Sequence, residues 1–184
     1  MPEGVSPLVG IVMGSDSDWP KIQSAGAALD EFQVPYEARV MSAHRAPEIV
    51  RQYSAGAAQR GLKVIIAAAG GAAHLAGVVA SHTTLPVIGI PVPTELHHGL
   101  DSLLSTVQMP GDVPVATVGV GSGGARNAGL LAVEILALAD PSLQERLAAF
   151  KHKLVEKVNA KDAALRSTLG NVNPSTDPPR PPGK

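Results

Sequence analysis

Not one of the 184 residues is a cysteine. That absence excludes disulfides, thiolate metal sites, iron–sulfur clusters and a cysteine nucleophile together. Aromatic residues are nearly as scarce, at 3% with one Trp, two Tyr and two Phe, so a core has to be built from Ala, Val, Leu and Ile. No sign of charge predominates. The 15 Lys and Arg stand against 16 Asp and Glu, a formal net charge of -1, and such a chain has no basic field to hold a nucleic-acid backbone. No apolar run approaches the ~18 residues that a membrane span needs. Met1-Pro2-Glu3-Gly4 also lacks the basic region and apolar stretch of a secretory signal. What is present points to a folded globular chain: 45% hydrophobic and only 17% charged residues, outside the range of disordered sequences. The expectation is a soluble, cytoplasmic protein that binds neither nucleic acid nor membrane.

Hydrophobic patterning divides the chain into alternating segments. Leu8–Met13 is a short unbroken apolar run, as a strand buried on both faces should be. Pro20 suits the first turn of a following helix, with Ile22, Leu29 and Phe32 inside. A second strand is expected from Glu37 to Ser42 and a helix from Pro47. A third strand follows over Lys63–Ala69, then a helical segment after Gly70-Gly71 that reaches about His82. Val87–Val92 and Val115–Val120 are expected as strands four and five, with a helix over about Gly124–Ala139. Strands alternating with helices require a parallel sheet covered on both faces. At this length the expectation is an open, three-layer, doubly wound α/β fold of the flavodoxin-like type, because a closed eightfold barrel needs ~250 residues.

Pro141–Leu169 differs in kind. Leu143, Leu147, Phe150, Leu154 and Val158 recur at helical spacing, with Glu145, Arg146, Lys153, Glu156 and Lys157 outside them. This helix is too long for a small sheet to cover, and a second subunit is the simplest partner for its surplus apolar face. Residues 1–169 are therefore read as a single α/β catalytic domain including a terminal oligomerisation helix, and residues 170–184 as a disordered Pro-rich tail.

Ligands of open parallel sheets bind where the loops leave the carboxyl ends of the strands, and three such loops are unusual. Gly14-Ser15-Asp16-Ser17-Asp18 offers small residues, hydroxyls and backbone amides at a helix start, which suits an anion and equally suits ordinary helix capping. Ser42-Ala43-His44-Arg45-Ala46-Pro47 joins a guanidinium with paired donors to an imidazole able to exchange a proton near neutral pH. Its plainer alternative is a surface loop. Ala69-Gly70-Gly71-Ala72-Ala73-His74-Leu75-Ala76-Gly77 has almost no side chains, so its backbone can wrap a planar ligand. Tight helix–sheet packing, with His74 in a structural hydrogen bond, accounts for it as well. Gly119-Val120-Gly121-Ser122-Gly123-Gly124 matches a dinucleotide fingerprint in letters but follows the last strand, with no later strand to complete the unit. His97-His98 lacks a third metal ligand at useful spacing. A phosphoacceptor receiver would end strand three on Asp, whereas this strand ends Ala67-Ala68-Ala69.

Taken together, these loops resemble the purine-biosynthetic 5-(carboxyamino)imidazole ribonucleotide mutases, the PurE family. The resemblance rests on Val12–Trp19, Ser42–Pro47, Gly70–Leu75, Leu85–Val92, Asp101–Ser105 and Gln108–Pro110, and covers residues 8 to about 165. It implies that a carboxylate moves from the exocyclic nitrogen of an aminoimidazole ribonucleotide to ring carbon 4 without cofactor, ATP or metal. On this resemblance Ser15, Ser17, Ser42 and Arg45 surround the phosphate, and Asp18 accepts from ribose hydroxyls. The Gly70, Gly71 and Ala72 backbone cradles the base, Ala43, His74 and Leu75 line the pocket, and His44 moves the proton. The resemblance further implies an octamer assembled in part through the terminal helix. Gly70–Leu75 resembles the mutase branch; the direct carbon dioxide-dependent carboxylase and a non-catalytic ribonucleotide-binding module remain as alternatives. Ala68 stands where the family usually has Gly, placing a methyl beside the close-approach backbone, and Ala76 stands where it usually has Pro.

Overall fold

The computed structural model describes residues 6–170, so the expected tail over 170–184 lies, apart from Gly170, outside the described residues. Five parallel strands form one sheet: β1 (Val9–Met13), β2 (Tyr36–Val40), β3 (Val64–Ala69), β4 (Val87–Pro91) and β5 (Ala116–Thr117). Their spatial order is β2-β1-β3-β4-β5, the flavodoxin-like order. Every residue of β1 and β4 is buried, because helices cover both faces and leave no strand side for polar residues. At Gly10 an added Cβ would overlap the Tyr53 hydroxyl, so the missing side chain there is what lets α3 (Pro47–Gly56) lie against β1.

The order reverses between β1 and β3. From β1 the chain crosses to β2 on one side and returns to β3 on the other. Loops that leave β1 and β3 diverge from this point and open a crevice. Continuous ladders hold it, Met13 facing Val40 on one side and Ala68 on the other.

Several boundaries differ from the expectation. The helix opening at Pro20 comes as a 3-10 turn over Asp16–Asp18, then α1 (Trp19–Ile22) and α2 (Ser24–Glu31). The Gln23 side-chain amide donates to the Pro20 carbonyl at 3.2 Å, the acceptor that an uninterrupted helix would give to Ser24. The second strand ends at Val40, two residues earlier than expected, because Ser42 already starts a turn that accepts from the Ala46 amide. The fifth strand shrinks to two residues at the sheet edge, paired to β4 alone. Beyond it the glycine run serves packing: a methyl on Gly124 would overlap the Gly119 carbonyl. The segment after Gly70-Gly71 is helical only over α4 (Leu75–Ala80). A helix that the patterning did not identify, α5 (Leu100–Val107), follows Gly99, whose φ of 100° provides the left-handed turn into it. The next helix is α6 (Ser122–Ala137).

The last helix, α7 (Pro141–Leu169), runs as expected. By contact density the chain divides into two units, one ending at Gln144 and the other beginning at Glu145, so the division falls within α7. In the first unit, Leu143 is buried. In the second, Leu154, Val155, Val158, Leu165 and Leu169 are all exposed.

Candidate functional site

The three singled-out loops leave β1, β2 and β3, which are neighbours in the sheet, and main-chain bonds to the strand ends hold their starts side by side. Gly14 N–H donates to the Ala68 carbonyl at 3.2 Å, and Met41 N–H to the Met13 carbonyl at 2.8 Å. The Arg45 Nη2 then reaches back to donate to the Gly14 carbonyl at 2.9 Å. Between these loops and the one after β4 lies a cavity of about 460 Å³, within the ~300–1,000 Å³ usual for small-molecule sites.

The first loop is a capping box. Ser15 N–H donates to Asp18 Oδ2 at 3.1 Å, Ser17 N–H donates to Ser15 Oγ at 3.3 Å, and the two serine hydroxyls lie 2.8 Å apart. Capping and cavity lining thus coexist in one loop, and Ser15 and Asp18 serve both. Burial raises the Asp18 carboxyl above its ordinary value, opposed by the Ser15 amide and by the Lys21 charge. In the second loop, Ser42 Oγ accepts from the Arg45 amide at 3.2 Å, which fixes the turn that presents His44 and Arg45, both exposed. Gly71 in the third loop takes φ 68°, a conformation that glycine adopts without penalty. Two tight bonds follow, Ala73 N–H to the Gly71 carbonyl and His74 N–H to the Ala72 carbonyl, each 2.8 Å.

His44 Nε2 and His74 Nδ1 are 2.8 Å apart, with the rings nearly perpendicular at 86° and their centroids 4.9 Å apart. Such a bond holds one hydrogen between the two nitrogens, so a doubly protonated pair would break it. A proton arriving on one imidazole therefore sets the tautomer of the other.

Ser15, Asp18, Ser42, Ala43, His44, Arg45, Gly70, Ala72, His74 and Leu75 all border the cavity. Ser17 and Gly71 do not; Ser17 supports Ser15 through its hydroxyl, and Gly71 turns the backbone between two lining residues. Gly14 and Ala69, at the starts of two of the loops, also border it, and so do Lys21, Val92, Pro93 and Thr94, which lie outside the three loops. Lys21 matters most of these, because it adds to the cavity lining a cation besides Arg45 and donates to the Pro93 carbonyl at 3.2 Å. Its position three residues beyond Asp18, on the turn that follows the loop, does not by itself mark it as a site residue. Ala68 does not border the cavity. It is fully buried, and alternation along β3 sends its methyl to the opposite face from Ala67 and Ala69. Ala76 is likewise buried. Among the described residues no three His, Asp or Glu side chains converge as metal ligands, and no helix is long and apolar enough to cross a membrane.

Comparison with known proteins identifies the family. The chain is 59% identical over 171 residues to the N5-carboxyaminoimidazole ribonucleotide mutase of Mycobacterium tuberculosis, covering 93% of this chain and 97% of that one. It is 57% identical over 143 residues to the Bacillus subtilis protein of the same name, covering 78% and 88%. Among solved structures, Treponema denticola PurE superposes with a TM-score of 0.76 at 29% identity, over 87% of this chain and 99% of that one. A substituted form of PurE2 from the same organism reaches 0.80 at 28% identity, over 88% and 99%. The sequence model described as AIR carboxylase matches residues 8–157, a span that holds all four loops around the cavity, and the chain belongs to that family.

Proposed function

We propose that the protein is an N5-carboxyaminoimidazole ribonucleotide mutase of purine biosynthesis, moving the carboxylate from the exocyclic nitrogen to ring carbon 4. The observation that carries this reading is the 59% identity, over nearly the whole of both chains, to an enzyme of that name. The cavity supports it chemically. A ribonucleotide brings a phosphate, ribose hydroxyls and a flat base; the cavity offers two cations, a carboxylate and a side-chain-poor loop.

In the reaction the carbamate N–C bond breaks and a C–C bond forms at carbon 4, while the nitrogen gains a hydrogen and carbon 4 loses one. One residue that gives a proton to nitrogen and then takes one from carbon satisfies this balance, with carbon dioxide held between the two steps. We assign that role to His44, with His74 setting its tautomer through their mutual hydrogen bond. Arg45, Ser15 and Ser42 hold the phosphate, with Ser17 orienting Ser15. Asp18 accepts from ribose hydroxyls, and Gly70, Gly71 and Ala72 carry the base. Ala43 and Leu75 close the sides. The raised Asp18 carboxyl fits a group whose solvation an incoming hydroxyl completes.

The working protein is a cytoplasmic homo-oligomer, most simply an octamer, in which the exposed apolar residues of α7 contact another copy; sedimentation checks this, and a monomer overturns it. Purified protein given the labile carbamate should form the carbon-carboxylated product, followed by ultraviolet absorbance, at an unchanged rate after exhaustive chelation and without ATP. Turnover of the aminoimidazole ribonucleotide with bicarbonate, and none of the carbamate, would instead select the direct carboxylase. Binding without turnover would select a non-catalytic module.

A further inference from the structure

The Gly70–Ala72 loop has few side chains with which to hold its own shape. At Gly71, whose φ of 68° sets the crank of the loop, the amide donates at 2.9 Å to the Ser102 hydroxyl on the first turn of α5. Ser102 is completely buried. Its hydroxyl also donates to the Val92 carbonyl at 2.8 Å, just past β4, with a longer approach of 3.4 Å to Asp101 Oδ1. A serine hydroxyl has one hydrogen and two lone pairs, so it can receive from Gly71 and give to Val92 at once. The loop after β3 and the loop after β4 thereby hang from one atom.

The neighbouring residue does the same for the loop after β4. Asp101 Oδ1 accepts from Thr94 Oγ1 at 2.6 Å and from the Ser102 amide at 2.8 Å. These bonds hold the Asp101 carboxyl below its ordinary value, the Thr94 hydroxyl contributing most. Gly70 and Thr94 face each other so closely that a Cβ on Gly70 would stand 3.2 Å from the Thr94 methyl. Gly70, Ala72 and Thr94 border the cavity, whereas Asp101 and Ser102 do not.

We infer that Ser102 is a positioning residue for the reaction, setting the Gly70–Ala72 backbone at the distance from His44 that carboxyl transfer requires. The inference rests on the proposed function for its chemistry and on the Ser102 geometry for its placement. Ser102→Ala leaves the Gly71 amide and the Val92 carbonyl without their shared partner, and the loop relaxes. Displacement of a reacting group by about 1 Å costs up to roughly 100-fold. Phosphate recognition rests on the other loops and is untouched.

The test compares Ser102→Ala with Thr106→Ala. Thr106 is also buried, one turn further along α5, and its hydroxyl donates to the Ser102 carbonyl at 2.7 Å rather than to a loop. Both variants lose a buried hydroxyl from the same helix, so a merely structural role lowers Tm in both and kcat in neither. The expected result is a kcat about 10- to 100-fold lower in S102A, with KM within about twofold of wild type, while T106A keeps its kcat. Equal kcat in the two variants overturns the inference. Should S102A not fold, Ser102→Cys, which keeps a weak donor and acceptor, carries the same comparison with a smaller loss. Amide exchange at Gly71 is read in parallel, faster in the Ser102 variant and unchanged in T106A. Wild-type protein without mutase turnover would overturn the reaction reading alone, because the exchange measurement still decides whether Ser102 holds the loop.

Discussion

Each end of the sheet carries a carboxylate, a cation and a ring, bonded to one another at the amino ends and lining one cavity at the carboxyl ends, and the two groups behave oppositely. At the amino ends of the strands, Glu37 Oε1 accepts from the Tyr53 hydroxyl at 2.8 Å and from Arg60 Nη1 at 2.7 Å, and the Arg60 guanidinium lies 4.5 Å from the centre of the Tyr53 ring. Burial pushes the Glu37 carboxyl up, but Arg60 and Tyr53 together outweigh it and hold the group below its ordinary value. The same surroundings raise the Tyr53 hydroxyl, burial first and Glu37 next. Each member is bonded to or packed on another member. At the carboxyl ends, Asp18 receives one backbone amide and stays above its ordinary value, while His44 and Arg45 remain exposed at the cavity. A self-satisfied cluster stabilises; a cluster with capacity left over can bind. The contrast separates structure from function better than residue class does, since each cluster combines a carboxylate, a cation and a ring.

His44→Asn should break the comparison most severely. General acid–base catalysis is typically worth ~10²–10⁴-fold, so turnover should fall by at least about 100-fold while a ribonucleotide still binds, as calorimetry would register. Near-normal turnover would pass the role to His74. Arg45→Lys should come next. Lysine keeps the charge but not the paired donors, and the phosphate is remote from the reacting carbon, so KM should rise about tenfold, more than kcat falls. An unchanged KM would remove Arg45 from the phosphate.

The smallest effects distinguish the two carboxylates. Glu37→Gln should lower stability by about 1 kcal/mol after allowance for solvent screening and leave kcat unchanged. The contribution of Glu37 is present above its unfolded value of 4.5 and disappears as pH falls through the lower folded value, so denaturant titrations of this variant should flatten on the acid side. Asp18 has the opposite sign. Its contribution is present below 3.8 and is lost as pH rises through the raised folded value. Asp18→Asn should therefore unfold no earlier than wild type at pH 7, and slightly later, while losing affinity for the ribonucleotide. A lower Tm at pH 7 would show that the carboxylate stabilises the loop instead.

Much of this arrangement was legible in the sequence. Leu8–Met13, Lys63–Ala69 and Val87–Val92 read as buried strands because an apolar run flanked by polar turns has few other fates. The three loops stood out because glycine, serine and histidine cluster where a helix is about to start. Lys21 was not legible, since a lysine on a helix turn is ordinary until the loop after β4 is known to pass beside it. Helix α5 escaped because its eight residues follow two histidines and a glycine with the composition of a loop, and with it went Ser102, whose role depends on partners 10 and 31 residues away.

By itself the sequence determined the alternation of strands and helices, the exclusion of cysteine chemistry and the composition of each loop, all of which follow from local periodicity and residue type. Only the tertiary structure decided that His44 and His74, 30 residues apart, share a hydrogen bond, that Ala68 sends its methyl into the core, and that one buried hydroxyl ties two loops together. The reason is physical. Local patterns choose what each segment becomes, whereas contacts between loops depend on the order in which strands cross the sheet, and that order is set by how all the helices bury their apolar faces at once.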